Sequence, residues 1–287
     1  MGNYSNDGQR ISAGLQAIFY GTRDADGYVL GNNATTPTAG NATGSPMFRI
    51  IGAVDANITI PEAGRVPAPG DNNSALVQFI FGADDLPSGT FSTASRDMVF
   101  EAITQGTKVR SYGAGTLKSG IVVPSSPNYA NMFIHYIRET KTYDENNVGV
   151  TKWQNVVFPN VQVQPLFNTA STRVHNPYNY SLVVNPSNQR GTGQTFTNAL
   201  DGALIASMFT YESDYPYHHI RYTGDNTEDT FNLTYTPIST SEIYVFVNGV
   251  LATVSSVDTT LKTFTLSAVP ANNAVIVALY GFDSSEL

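Results

Sequence analysis

Apolar residues recur on every second position along most of this chain, and one stretch clearly spaces them as a helix does. The clearest alternation lies at the end. It opens with Thr230-Phe231-Asn232-Leu233-Thr234-Tyr235 and continues through Ile243–Val247, Val250–Ala252, Phe264 and Leu266, and an apolar run from Ala274 to Tyr280. Asn248-Gly249 joins two of these runs, and both residues accept the positive φ that a tight hairpin turn demands. Pro270-Ala271-Asn272-Asn273 is a second turn. The pattern predicts a small antiparallel β module that closes its own core. Thr223–Asp229 is polar and reads as the linker before it, which places a domain boundary between residues 222 and 223.

The pattern upstream is less regular. Residues 1–10 form a polar arm. Residues 11–20 have strand character, Arg23-Asp24-Ala25-Asp26-Gly27 is a turn, and Tyr28-Val29-Leu30 returns as a second strand. Residues 31–46 are uncharged and built of Gly, Asn, Ala, Thr, Ser and Pro, which suits either a disordered loop or an interaction arm. Strand patterning resumes over 47–60, and 61–73, rich in Pro and Gly, is an irregular connection. Residues 75–81 read as a buried strand. The helical stretch spans about 96–105: Met98, Val99, Ala102 and Ile103 form one stripe, with Ser92, Thr93 or Ser95 as N-cap, Asp97 in the first turn and Gly106 as the stop. Residues 120–124 are short and apolar. Residues 132–138 and 153–158 are strand partners around a polar tip at 144–147, 161–166 extends their sheet, and 180–185 adds another strand. Residues 196–208 suit a second short helix, weakened by Gly202. The chain is therefore expected to be mainly β.

Composition narrows the function. Of 287 residues, 13 % are charged, about half the usual share, and Asn, Thr, Ser, Gly and Tyr take up the surface instead. Such neutral groups are cheaper to desolvate than charges and suit lasting contact between subunits. The net charge of −8 argues against a general nucleic-acid-binding surface, and it would let DNA slide past without sticking. With no cysteine, disulfides and thiolate metal sites are excluded. Residues 1–10 do not resemble a signal peptide, and no apolar run approaches the ~20 residues of a membrane helix. A soluble protein made in a cytoplasm is expected.

Candidate chemistry is thin. His218-His219 is the single adjacent histidine pair, but neighbours on a strand point to opposite faces and chelate one metal poorly. Asp24-Ala25-Asp26-Gly27 lacks the third ligand and closing Glu of a calcium loop and reads as a plain turn. There is no Gly-x-Ser-x-Gly elbow, and His135 sits inside a strand pattern. Glu62, Asp84, Asp85 and Glu101 are scattered, and Gly113-Ala114-Gly115 lacks the Lys-Ser/Thr of a phosphate loop. Tyr211, Tyr215, Tyr217 and Tyr222 could bind sugar or a partner protein; packing at the domain junction is the favoured reading. No catalytic, cofactor-binding or metal residue is assigned, and an enzyme is not expected.

The terminal wording, Thr-Phe-Asn-Leu-Thr-Tyr-Thr-Pro at 230–237 followed by Val-Asn-Gly-Val at 247–250, resembles the small Ig-like β domain attached to many tailed-phage structural proteins. The order upstream, strands, a long arm, one helix and more strands, resembles the major tail tube proteins of long-tailed, siphovirus-like bacteriophages. The resemblance implies a tail-tube-type β-sandwich or barrel with one flanking α-helix over 1–222, and a small C-terminal antiparallel β-sandwich domain over 223–287 on the outside of the tube. It implies hexameric rings that stack into a tube, with inner sheets joined into one barrel and arms gripping the next ring. The candidate interface residues are then Asn3, Tyr4, Asn33, Thr36, Thr38, Asn41, Arg65, Asn72 and Asn73. The partners implied are further copies of the chain and the tail tip and tail terminator proteins. The tape measure protein and phage DNA would pass through the lumen without specific binding. No cofactor and no membrane are involved, and the place is the virion tail, with assembly in the host cytoplasm. A head decoration or baseplate protein, and a glycan-binding adhesin, are the alternatives.

Overall fold

A computed structural model describes residues 11–31, 36–59, 65–68, 77–80, 87–107, 109–111, 119–121, 123, 125, 128–143, 149–166, 177–195, 197–198, 202–203 and 208–287. The arm at 1–10, Gly113-Ala114-Gly115, the tip at 144–147 and Glu62, Asp84 and Asp85 lie outside the described residues.

The fold is mainly β, with antiparallel sheets. The labelled strands are β1 (Ile11–Arg23), β2 (Phe48–Ile50), β3 (Ala53–Thr59), β4 (Ser88–Thr93), β5 (Met132–Tyr143), β6 (Gly149–Leu166), β7 (Tyr178–Val184), β8 (Phe209–Ser213) and β9 (Tyr217–Thr223). The final module adds β10 (Thr230–Asn232), β11 (Ile243–Val247), β12 (Val250–Ala252), β13 (Val254–Asp258), β14 (Thr263–Leu266) and β15 (Val275–Gly281). The α-helix among the described residues, α1, is Met98–Thr104.

The large sheet runs β1-β5-β6-β7-β4-β3. Its last strand returns to its first: β3 pairs with β4, the chain corners at Ile51 and Gly52, and β2 pairs with β1. The sheet thus rolls into a barrel. Period-2 alternation sorts its residues between two cores. Ile18, Tyr20, Ile134, Tyr136, Val156, Phe158, Tyr180 and Leu182 point inward, where Phe100 of α1 packs against Tyr20, Phe91 and Tyr180.

The helix differs from expectation in two ways. Asp97 is its N-cap, and its carboxylate accepts from the Val99 and Phe100 amides at 3.0 Å, in place of Ser92, Thr93 or Ser95. Its buried face is Phe100, Glu101, Ala102 and Thr104, while Val99 is 41 % exposed. Phe100 turns the helix, because it is the largest side chain in the segment and the barrel interior is the nearest place to bury it. Arg96 then covers the inward-facing Glu101, Nε and Nη2 donating at 2.9 and 2.7 Å. Gly106, at φ +65°, ends the helix: its N–H donates to Ile103 and that of Thr107 to Ala102, the paired bonds of a Schellman stop. The second helix expected over 196–208 is absent where the chain is described, since Thr197–Asn198 pairs with Gly202–Ala203 as a short ribbon. Arg65–Ala68, read as irregular connection, pairs with Val77–Ile80.

The terminal module is a two-sheet sandwich. One sheet has the order β12-β11-β15-β9 with Ser45–Pro46 at its edge, and the other is β10-β14-β13. Asn248 and Gly249 make the hairpin turn at φ +50° and +80°. Two strands come from outside 223–287. β9, which contains the expected boundary, pairs along its whole length with β15, and Ser45–Pro46 pairs with its other edge. The module does not close its core alone: Phe19, Met47, Phe133, Trp153 and Val157 of the barrel belong to the same apolar cluster as Ile220, Phe231, Phe264, Ile276 and Phe282. Every residue of β9 is buried.

Candidate assembly and binding surfaces

Beside the barrel seam, β1, β5, β6 and β8 form a flat stretch of four antiparallel strands in register. One row crosses it as Leu15–Arg138–Gln154–Glu212 and the next as Ala17–Ile137–Asn155–Tyr211. The two rows point to opposite faces. The first face carries half-buried Arg138, Lys152 and Gln154 and exposed Thr210 and Glu212; Lys152 pairs with Asp214 just past β8. Arg138 and Lys152 offset Glu212 and Asp214 there. The sheet also has two edges. Before Ile18 no other strand is hydrogen-bonded to the outer side of β1, and none to the outer side of β8, among the described residues. Antiparallel alternation makes the edge strands β1 and β8 run in opposite directions.

The expected interface residues fall apart into two groups. Asn3, Tyr4, Asn33, Asn72 and Asn73 lie outside the described residues, and Arg65 opens a strand whose side chains do too. Thr36, Thr38 and Asn41 are exposed, on a segment held to the terminal module of the same chain. Gly40 N–H donates to Thr223 O at 3.4 Å and Asn232 N–H to Ala42 O at 2.8 Å. Asn41 organises the local turn, its side-chain oxygen accepting from Thr43 N–H at 3.1 Å.

The opposite face of the flat sheet carries Phe19, His135, Val157 and Phe209 in one row and meets β9. Three histidines are enclosed in this seam: His135, His218 and His219 are at most 1 % exposed. His135 Nε2 lies 3.0 Å from Asn155 Oδ1, and Asn155 donates to Ser213 Oγ at 2.8 Å. His218 Nε2 lies 3.3 Å from Met47 O, and its ring meets Phe19 edge-on at 4.9 Å. His219 packs against Phe133 and His135. Burial pushes His135 down to about 4 and His218 to about 3, and His219 falls well below the usual imidazole range through burial and its two neighbours. All three are neutral at pH 7. An ion pair locks the same seam: Arg221 Nη1 donates to Asp24 Oδ2 at 2.6 Å and its guanidinium lies 5.5 Å from the Tyr28 ring centre. Asp24 also accepts from Tyr28 N–H at 2.9 Å, so the 24–27 segment is a turn anchored to β9.

Where β8 meets the terminal module there is a cleft of about 530 Å³. Phe209, Tyr211, Tyr217, Tyr244 and Phe246 line it, together with Arg190, Thr192 and Gln194. Within the Tyr cluster expected to pack at a domain junction, Tyr222 is wholly buried in the sandwich, and Tyr211 and Tyr217 pack edge-on at 5.8 Å where they line the cleft. Thr192 and Gln194 drew no notice in the sequence, because a polar loop between prolines and glycines gives no sign of what it will face.

Among the described residues no group of three or more His, Asp or Glu is placed to hold a metal ion. No helix among them is long and apolar enough to cross a membrane. Comparison with models of known protein families gives no match, and comparison with curated proteins gives none either.

Proposed function

We propose that the chain is a structural subunit that polymerises, as stacked rings of about six copies, into the tail tube of a long-tailed bacteriophage. One observation carries this reading: among the described residues no strand pairs with the outer side of β8 or with that of β1 before Ile18, and these two edges run in opposite directions. An open edge offers a row of backbone donors and acceptors to another chain. Set beside β1 of the next copy, β8 of one copy continues the antiparallel alternation. Repeated round a closed ring, this head-to-tail contact leaves no edge unpaired.

The balanced charge of the face that carries Arg138 and Glu212 supports the same reading. A lumen lined by Arg138, Lys152, Glu212 and Asp214 would present no net field to hold passing DNA. In this role the partners are other copies, the tail tip and terminator proteins at the ends, and the tape measure protein and DNA within. The role needs no cofactor, membrane or catalytic step, and its place is the virion tail after assembly in the host cytoplasm. The terminal module sits on the far side of the flat sheet from that face, which suits a position outside the tube.

The edge can be blocked without touching the core. Gln16 is the extra residue of a bulge in β1, between Leu15 and Ala17, where proline is tolerated. Sedimentation velocity of Gln16→Pro should give monomers with the wild-type circular dichroism spectrum, while the wild type sediments as rings or longer assemblies. Wild-type monomers that bind empty capsids would favour head decoration instead.

A further inference from the structure

The cleft beside β8 is built like a receptor for a small ligand, and nothing in tube assembly uses its chemistry. We infer that it binds a neutral saccharide. Its 530 Å³ falls inside the roughly 300–1,000 Å³ of small-molecule sites. Tyr217 and Tyr244 lie near-parallel, with ring centres 6.3 Å apart, and Phe209 and Tyr211 repeat that arrangement at 6.3 Å. These rings suit the C–H face of a pyranose, half-exposed Tyr244 most of all; the Tyr217 hydroxyl already donates to Glu242.

The polar groups point to the same class of ligand. Thr192 and His219, 4 % and 1 % exposed, wall the cleft. Thr192 Oγ1, His219 Nδ1 and the Tyr211 hydroxyl are buried, yet none has a hydrogen-bond partner among the described residues. Buried polar atoms without partners are costly, and a rotation of these side chains toward the cleft would bring them to a ligand made of hydroxyls, which both donate and accept. Charge excludes the competing class: Arg190 is the cation on the lining and Glu212 the anion, so no concentrated positive field exists to hold a phosphate. This inference does not rest on the tube reading.

The test is saturation-transfer NMR on the full-length chain with lactose, maltose, cellobiose and N,N′-diacetylchitobiose as probes. A neighbouring copy's β1 would stand beside β8 in a ring, so the Gln16→Pro chain is titrated as well as the wild type. The expected result is transfer from aromatic protons to the ring protons of at least one sugar, in at least one of the two chains. Tyr244→Ala, at a half-exposed position, should weaken that sugar about tenfold, as loss of one stacking face does. Thr192→Val should weaken it while leaving the melting temperature equal or higher, because it removes an unsatisfied hydroxyl and keeps the volume. Leu261→Ala, in the turn between β13 and β14, should bind as wild type. Absence of transfer to all four sugars in both chains would overturn the inference. So would binding that neither Tyr244→Ala nor Thr192→Val changes.

Discussion

His135, His218 and His219 carry no charge in the folded chain, and that ties stability to pH. In the unfolded chain each takes a proton near its ordinary value of about 6.5, whereas His135 waits until about 4 and His218 until about 3. Below 6.5 the unfolded state therefore binds more protons, and stability falls as pH falls. It is fully present above about 7, and if all three contribute the slope reaches about 4 kcal/mol per pH unit. Carboxylates such as Asp225 and Asp283, held low by nearby N–H and hydroxyl donors, act only at lower pH. Calorimetry between pH 7.5 and 4.5 should thus show a steep loss of melting temperature. His135→Gln should flatten it; an unchanged slope would remove His135 from the account. Asp24 gives a sharper result at neutral pH. Asp24→Ala leaves the Arg221 guanidinium buried without its partner and should cost about 3 kcal/mol in denaturant unfolding.

At the scale of elements, what the sequence shows well is whatever a local rule decides. Asn248-Gly249 forms the expected turn because two adjacent positive-φ residues leave few other conformations. β5 and β6 pair as read because both alternate over many residues. The helix lies where it is expected, and its face agrees in part: Ala102 is buried and Ile103 packs on the core, but Val99 is exposed and Phe100 is buried. Met98, Val99, Ala102 and Ile103 make a plausible stripe in isolation, yet the barrel interior selects Phe100. Phe100→Ala should destabilise the chain by about 3–5 kcal/mol, and Val99→Ala by less than about 0.5 kcal/mol. The reverse order would restore the expected stripe. Equally illegible were the strand at Ser45–Pro46 and the corner at Ile51 and Gly52. Their partners lie far away in sequence, at Ile220 and Arg221 and on either side of the barrel seam, and no local pattern encodes that.

For the whole molecule the largest revision concerns the terminal module. Its strands were the clearest in the sequence, and an alternating pattern says that one face is buried without saying against what. Phe231, Phe264 and Ile276 share their core with Phe19 and Phe133, and β9 spans the boundary expected between 222 and 223. Removal of residues 223–287 should then yield insoluble chain rather than a free barrel, since it strips the cover from Phe19, His135 and Val157. A soluble, folded truncation would show that the barrel stands alone. The candidate cleft could not be read from the chain either, because its walls come from β8, β9, β11 and the loop at 190–194.

Assembly is the central claim, and electron microscopy of the purified full-length chain tests it most directly. Pairing of β8 with β1 of the next copy predicts closed rings, and tubes where rings stack, with the terminal modules outside. Gln16→Pro should abolish both. Particles that remain single chains at every concentration, or assemblies indifferent to Gln16→Pro, would contradict the account.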